Sequence, residues 1–447
     1  MVSKFTTAKG VVFCCCLFCC YAFPLFGLSY NLRSSVNKFQ FLRQDNGAFY
    51  NKSLARVRSK IGLRECEKFD ISTDQAITSL STFLLTSEKN SSKYMLAAGT
   101  KRGGLLCYKL HIDEEEQNTS LMGKGKEWLT FEVILNVKAL SDISINQITP
   151  AVMKYKAYPI YSMRFFTLDH DPTSHYLATG GGDRILTIIK FCVDKIQREG
   201  MLGFHTGWVK DIVPIDNVLF SIGCNCIESW CIKEGIWKHL RKRKIESSTD
   251  GATLSSDLLC LCSGTCRDSG KPVLFSAGVD GRIQQWSNDV NRESPISSIR
   301  AHDGRITCMQ YANIASMLLT AGYDGFVRCT SLMNVNDNIT NMEGSAKLQI
   351  NAESETGLRL TSMSILNEEE NSIIAAIGST NGFIRIIECT RNDNDEIFVT
   401  AVGECIEVCK QGKSIHSIES LGARKCGKLA IAAGHAGGLS VLTFHPK

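Results

Sequence analysis

The sequence predicts an all-β protein in which seven similar antiparallel sheets are arranged around a common axis. Three observations support this fold class. The composition, 447 residues with 44% hydrophobic and 21% charged side chains, is that of a globular chain. A pattern of apolar strand, glycine-centred turn and apolar strand recurs seven times. A further short apolar strand precedes each copy, so each copy can form a sheet of more than two strands.

The repeats align on one glycine near the end of the first strand of each copy. These glycines are separated by 82, 42, 55, 44, 56 and 56 residues. We expect them to supply the backbone freedom that a tight turn between two strands requires. The seven positions are Gly99, Gly181, Gly223, Gly278, Gly322, Gly378 and Gly434.

The turns carry their own signals. Asp280-Gly281, Asp324-Gly325 and Asn381-Gly382 are dipeptides typical of two-residue hairpin loops. Asp183 follows a run of three glycines at the equivalent turn of the second copy. Because that run leads into a strand rather than a helix, it does not indicate a phosphate-binding loop.

Each copy needs four strands to complete a sheet. The strands that precede the hairpins are ITSLSTFL, IYSMRFF, VKDIVPI, LLCLC, ITCMQY, LTSMSIL and IHSIESL, and a fourth strand is expected in each connecting segment. The 82-residue interval contains one strong strand, WLTFEVILNV, interpreted as an outer strand plus an insertion. Further insertions are expected at 233–251, 333–357 and 390–400. A sheet of this kind cannot bury both faces alone, so stacking around an axis is expected.

These residues resemble the WD-repeat β-propeller family over about residues 66–447. The resemblance implies a single closed seven-bladed propeller occupying residues 65–447, in which CEKFDI at 66–71 supplies the last strand. It also implies polar networks that join a histidine, a strand Ser or Thr, a turn Asp and a Trp. One copy offers His205, Ser221 and Trp230 without an Asp, and another offers His302, Thr320 and Asp324 without a Trp. Trp286 is the second Trp at the family position.

The amino terminus has the composition of a targeting segment. A short basic region precedes the apolar run at 11–22, which predicts a signal peptide over residues 1–22, cleaved between Ala22 and Phe23. Residues 23–64 are basic with Asp45 as their single acid, as in transit peptides. The whole resembles the bipartite plastid presequence of diatoms and related algae, which implies a plastid location. The alternatives are the secretory pathway and an uncleaved membrane anchor.

Charge and motifs exclude several function classes. Beyond residue 64 the chain holds 40 basic and 44 acidic side chains, so no nucleic-acid partner is expected. The sequence contains no catalytic motif, and neither a metal site nor a cofactor is predicted. Clustered cysteines at 224, 226 and 231 and at 260, 262 and 266 lack paired zinc-ligand spacing. They are interpreted as buried apolar residues, with redox activity as the alternative.

The basic run KHLRKRK at 238–244 predicts a partner contact. We expect it in an insertion, where Arg241, Lys242, Arg243 and Lys244 would attract a charged partner and contribute little to stability. The alternative is a solvated edge strand, where basic residues discourage pairing with other chains.

The family resemblance implies a non-catalytic scaffold that holds protein partners on a rigid disc. The alternatives are a propeller enzyme, with ligands around the central channel, and a trafficking or quality-control factor of the secretory pathway. The enzyme would need acidic or histidine clusters on several blades. No membrane span is expected in the mature protein, and the partner's identity does not follow from the sequence.

Overall fold

A computed structural model describes residues 55–57, 63–73, 75–88, 91–113, 129–137, 140, 158–191, 196–233, 236–244, 257–265, 270–287, 292–332, 346–350, 358–409, 413–423 and 429–446. These residues form 29 strands in seven antiparallel sheets, called blades 1 to 7. The predictions for residues 1–54, including the cleavage site at Ala22 and Phe23, lie outside the described residues.

The strands are given blade by blade, from the inner strand to the outer one. Two amino-terminal strands, β1 (Ala55–Val57) and β2 (Leu63–Ser72), precede blade 1. Blade 1 contains β3 (Ile77–Glu88), β4 (Ser91–Thr100), β5 (Leu105–Asp113) and β6 (Leu129–Val137). Blade 2 contains β7 (Ile160–Leu168), β8 (Asp171–Gly181), β9 (Ile185–Phe191) and β10 (Ile196–Phe204). Blade 3 contains β11 (Val209–Ile215), β12 (Val218–Gly223), β13 (Cys226–Lys233) and β14 (Ile236–Lys244).

The remaining blades follow the same order. Blade 4 contains β15 (Leu258–Thr265), β16 (Pro272–Gly278), β17 (Arg282–Ser287) and β18 (Ser297–Arg300). Blade 5 contains β19 (Ile306–Ala312), β20 (Met317–Gly322), β21 (Phe326–Ser331) and β22 (Ala346–Gln349). Blade 6 contains β23 (Leu360–Glu368), β24 (Ser372–Ser379), β25 (Phe383–Arg391) and β26 (Ile397–Glu407). Blade 7 contains β27 (Ile415–Ala423), β28 (Leu429–His435) and β29 (Gly438–Pro446), followed by β2 and then β1.

The ring closes between the two ends of the chain. The seven inner strands contact one another in sequence order, and β27 also contacts β3. β2 pairs with β29, with Cys66 opposite Phe444 and Ile71 opposite Leu439. The predicted seven-bladed ring and its closure by residues 66–71 are therefore confirmed. β1 adds a fifth strand to blade 7, although residues 23–64 were expected to lie outside the fold.

The apolar core lies between the blades. Seven clusters of buried hydrophobic side chains occupy the seven junctions, and each cluster takes residues from two neighbouring blades. The fourth residue of every inner strand is one of those in this core: Leu80, Met163, Ile212, Leu261, Met309, Met363 and Ile418. Each blade therefore depends on both neighbours for burial, which is the arrangement that the repeats predict.

The aligned glycines have a different physical role from the predicted one. None of the seven has a positive φ, whereas Gly281, Gly325 and Gly382 in the turns have φ values of 73°, 77° and 89°. A Cβ at Gly99 would lie 2.8 Å from the Cβ of Ile160 in blade 2. At all seven positions an added Cβ would come within 3 Å of an inner strand or of the residues leading into it. These glycines permit close packing near the axis, and the turn glycines supply the backbone freedom.

The three expected insertions all contain regular structure, and in 333–357 this is β22. Within 233–251, residues Ile236–Lys244 form β14, the outer strand of blade 3. Within 390–400, a short turn leads directly into β26, and the Asn392 side chain accepts hydrogen bonds from the backbone N–H groups of Asn394 and Glu396. The interval at 111–157 contains the predicted outer strand as β6.

Polar networks fix the predicted histidines inside blades 3 and 5. In blade 5, His302 lies 2.9 Å from the Thr320 hydroxyl and 2.9 Å from Asp324. In blade 3, His205 Nε2 lies 2.8 Å from Ser221 Oγ, which also accepts a hydrogen bond from the Trp230 indole at 3.1 Å. The indole of Trp286 in blade 4 donates to Ser276 at 2.8 Å.

The acidic member of the blade 3 network is a strand residue that the sequence pattern does not identify. No turn Asp is present, but the buried Glu228 on β13 lies 3.6 Å from His205 Nδ1. The same carboxylate lies 3.2 Å from the Lys242 ammonium and 3.6 Å from His239 Nε2. Because an unpaired buried carboxylate is costly, part of the basic strand β14 serves to neutralise it.

The closing strand is also held by buried polar groups. Ser440 on β29 donates a hydrogen bond to Asp70 on β2 at 2.5 Å, and its hydroxyl lies 3.0 Å from His435 Nε2. Ser440 is fully buried and lies between the other two groups. The arrangement therefore joins β2 to blade 7 and offers no accessible nucleophile.

Acidification is expected to destabilise the protein through His205. Burial lowers its pKa to about 4 from the ordinary 6.5, and the facing Glu228 opposes this only in part. Between these pH values the unfolded chain binds a proton that the folded protein does not. Stability therefore falls as the pH falls, by up to about 1.4 kcal/mol per pH unit.

The measurement is urea denaturation of the full chain and of a His205→Gln variant between pH 7 and 4.5. The pH-dependent loss of stability should be smaller in the variant by about 2 kcal/mol. His435, whose pKa burial also lowers to about 4, is present in both proteins and cancels in the comparison. An equal loss in both proteins would contradict this account.

Candidate partner-binding surface

The second residue of the inner strands distinguishes two kinds of blade junction. At three junctions it is a threonine, Thr78, Thr307 or Thr361. Its hydroxyl donates to a backbone carbonyl of the next inner strand at 2.6, 2.7 and 2.5 Å, respectively. It also lies 3.2 Å from a carbonyl of its own blade in each case. The threonine thus fastens adjacent blades where the inner strands begin.

At the other four junctions the equivalent residue is larger. Tyr161, Lys210, Leu259 and His416 occupy this position in blades 2, 3, 4 and 7. They lie on the face that carries the turns between second and third strands and the segments entering the inner strands, here called the upper face. Comparison of the seven inner strands therefore shows that these four blades lack the threonine bond found at the other three junctions.

Two of these residues assemble with neighbouring aromatic side chains. The Tyr161 and Trp208 rings stack with centroids 5.5 Å apart and planes 29° apart. The Lys210 ammonium lies 4.1 Å from the Tyr161 ring centroid and 4.7 Å from that of Trp208. Trp208 is 52% exposed and nearby Tyr158 is 41% exposed. We call these four residues the aromatic patch.

Close backbone packing positions the exposed rings. A Cβ at Gly207, the residue before Trp208, would lie 2.0 Å from the Cys224 sulfur, so a larger residue would displace the Cys224 side chain against which this loop packs. The N–H of His205 donates to the carbonyl of Arg184 at 2.9 Å, which fixes the start of the loop. Gly182 similarly lets the Tyr158 ring lie against blade 2, 3.3–3.4 Å from a Cβ at that position. The patch is therefore built on fixed backbone.

The surroundings of the aromatic patch are mainly basic. Lys101 and Arg102 lie in the exposed blade 1 turn, and Gly103 in the same turn packs on the Tyr158 backbone. Arg184 is exposed beside the loop that carries Trp208. The nearby acids are Asp183, whose carboxylate accepts the Ile185 N–H at 3.2 Å, and Asp257. Burial lowers the pKa of Lys210, an effect that Asp257 opposes.

The predicted partner residues on β14 are mostly engaged within the protein. Arg241 forms an ion pair with Glu293 of blade 4, and Lys242 pairs with Glu228. Arg243 is 3% exposed; it donates to the Ser287 carbonyl at 3.1 Å, and its guanidinium lies 5.8 Å from the Trp286 ring centroid. Lys244 is exposed, whereas Arg241 and Lys242 are half-buried. The expectation of little contribution to stability assumed exposed charges, and for Arg243 that assumption is wrong.

A charged group also lies on the inner strands. Arg164 on β7 forms an ion pair of 3.0 Å with Glu419 on β27, passing over the intervening strand β3. Asp211 on β11 accepts hydrogen bonds from Ser162 and from the Leu261 N–H at 3.1 and 2.9 Å. Burial raises the pKa of both carboxyl groups, and Arg164 opposes this. The group links four inner strands, which accounts for its charges structurally.

The cysteines do not assemble a ligand set in the described part of the chain. Cys226, Cys231, Cys260 and Cys262 are buried free thiols. Burial raises the pKa of Cys260 and Cys262 well above the ordinary range, which is typical of inert thiols. Among the described residues, no group of three or more His, Cys, Asp or Glu side chains is placed to hold a metal ion.

Helical membrane spans are not found in the part of the chain that the structure covers. No helix there is long and apolar enough to cross a bilayer.

Comparison with known proteins identifies the repeat. Residues 293–331 match the family model for the WD40 repeat, described as WD domain, G-beta repeat. This range includes β18 and the first three strands of blade 5, with His302 and Asp324. The structure is similar to the crystal structure of the WD40 beta propeller domain of Doa1, with a TM-score of 0.50 and 14% identity, covering 87% of this chain and 98% of that chain. No curated protein matches this sequence.

The two ends of the basic strand should behave differently when mutated. Arg243→Ala removes a buried side chain that joins blades 3 and 4, so we expect a loss of about 2 kcal/mol of unfolding free energy. Lys244→Ala, at the adjacent exposed position, should change the unfolding free energy by less than about 0.5 kcal/mol. Urea denaturation of both variants measures the difference, and equal small effects would show that Arg243 does not join the blades.

Proposed function

We propose that this WD-repeat β-propeller is a non-catalytic scaffold that assembles or stabilises a protein complex in the plastid. The observation that carries the proposal is the aromatic patch, where Trp208 stands 52% exposed beside Tyr161 and Lys210. Trp and Tyr are enriched among the residues that dominate protein interfaces. Proteins of this repeat family are generally interaction platforms, which agrees with such a surface.

The packing around the patch favours binding without large rearrangement. The rings stand on inner strands and on a loop held by Gly207 and by the bond between His205 and Arg184. Side chains already held in place lose little entropy when a partner binds. A partner segment can therefore bind the patch as it stands.

The charged group of Arg164, Glu419 and Asp211 does not favour the enzyme alternative. Each carboxylate in it already accepts a hydrogen bond from within the ring, and Arg164 is paired with Glu419. A catalytic acid or base must reach a substrate proton, so groups committed to neighbouring strands are poor candidates. This supports the scaffold over a propeller enzyme.

Replacing Trp208 should remove partners without unfolding the ring. Tagged full-length protein carrying Trp208→Ala, purified from isolated plastids, should retain at least one partner about tenfold less well than wild type, as for a central interface residue. Phe398→Ala is the matched control. Phe398 is 50% exposed, but it lies at the start of β26 in blade 6, on the face opposite the upper face. Identical partner sets for wild type and Trp208→Ala, with both proteins folded, would contradict the proposal.

The plastid location is tested separately. Residues 1–64 fused to a fluorescent protein should direct it to the plastid of a diatom, and Phe23→Ala should leave the fusion outside that organelle. The physical basis is the apolar run followed by an acid-poor basic segment. Secretion of the unaltered fusion would refute the plastid location and leave the scaffold function to the Trp208 experiment.

A further inference from the structure

We infer that the aromatic patch binds an acidic segment of a partner protein, with the Lys210 ammonium pairing with one of its carboxylates. The inference rests on the proposed scaffold function and specifies the chemistry of the partner. It follows from the position of Lys210, from the charges around it and from the absence of threonine at this point of the repeat.

The position of Lys210 strengthens any ion pair that it forms. Its ammonium lies over two aromatic rings, 4.1 and 4.7 Å from their centroids, and burial lowers its pKa. An ammonium on an apolar surface is less well solvated than one in open water, so a carboxylate close to it gains more Coulomb energy. The exposed faces of Trp208 and Tyr158 would meanwhile cover the apolar parts of the bound segment.

Charge complementarity favours an acidic rather than a basic partner. Arg184 is exposed and, like Lys210, acts on the Cys224 thiol. Lys101 and Arg102 are exposed in the blade 1 turn that packs on the Tyr158 backbone. Of the acids, Asp183 is half-buried, and its carboxylate accepts a hydrogen bond from the Ile185 N–H. A basic segment would meet Lys210 and Arg184, whereas an acidic one would be attracted to them and would bind faster at low salt.

A peptide fits this surface better than a single-stranded nucleic acid. Nucleic-acid sites of this kind combine stacking rings with a basic groove that follows a continuous phosphate backbone. Here Asp257 lies close enough to Lys210 to act on its pKa. The chain beyond residue 64 has more acidic than basic side chains. Separate carboxylates on a peptide can avoid Asp257, but a continuous row of phosphates cannot.

The position of Lys210 in the repeat argues against a purely structural role. In blades 1, 5 and 6 the equivalent threonine joins two blades through its hydroxyl. Lysine has no acceptor and no short hydroxyl, so blade 3 gives up this bond. The same position in blade 2 is Tyr161, and the two replacements meet at one point of the upper face.

The test is selection of random dodecapeptides displayed on phage against the immobilised full-length protein. Selected peptides should be enriched in Asp and Glu relative to the starting library. Lys210→Glu should weaken binding of the selected peptides by about tenfold, which corresponds to about 1.4 kcal/mol. Lys271→Glu, the same change at an exposed lysine just before β16 on the opposite face, should leave binding unchanged. A fluorescent oligothymidylate, titrated in parallel, should bind no better to wild type than to Lys210→Glu.

Each other outcome overturns the inference. Selected peptides that are neutral or basic, or that bind Lys210→Glu as well as wild type, would show that the patch does not select carboxylates. Failure to select any peptide, or preferential binding of the oligothymidylate, would do the same. Loss of plastid partners from Trp208→Ala alongside any of these results would leave the scaffold function standing, so the two proposals fail separately.

Discussion

The structure depends on burial between blades that cannot be achieved by one blade alone. Every apolar cluster draws its side chains from two neighbouring sheets, so an open arc of seven blades would leave two faces uncovered. Pairing of β2 with β29 removes both open ends at once, and the hydrogen bond from the buried Ser440 to Asp70 helps hold this pairing. The amino-terminal strand therefore stabilises the whole ring rather than the seventh blade only.

Close approach at the axis imposes the second constraint. Seven inner strands can meet only if the second strand of each blade carries no side chain where they converge, as at Gly99 against Ile160. Threonine hydroxyls then fasten three of the junctions, and the ion pair between Arg164 and Glu419 crosses above β3. The residues that allow close approach at the axis and join the blades recur in the repeats. They therefore indicate the fold but give little information about function.

The fold was predictable because the same pattern of strands and turns occurs seven times. The candidate surface was not predictable, because its residues differ from blade to blade. Strand spacing and Asp-Gly turns indicated the blades and their order. Glu228 replaces a turn Asp from a strand position, so no turn motif reveals it. The burial of Arg243 depends on blade 4, which sequence patterns in β14 do not show. The seven-fold comparison of inner strands does contain the signal for Tyr161 and Lys210, as departures from threonine at one position.

Those departures divide the ring into two arcs. Blades 5, 6, 7 and 1 form the first arc, in which three blades retain the threonine bond and blade 7 carries His416. Blades 2, 3 and 4 form the second arc and carry Tyr161, Lys210 and Leu259 instead. Because the ring is closed, no blade can move without separating from two neighbours, so the blades of the first arc also hold those of the second in place. The ring can therefore give up three fastening positions to an exposed surface and still hold that surface rigid. Placing recognition residues on such an arc separates the requirements of binding from those of stability.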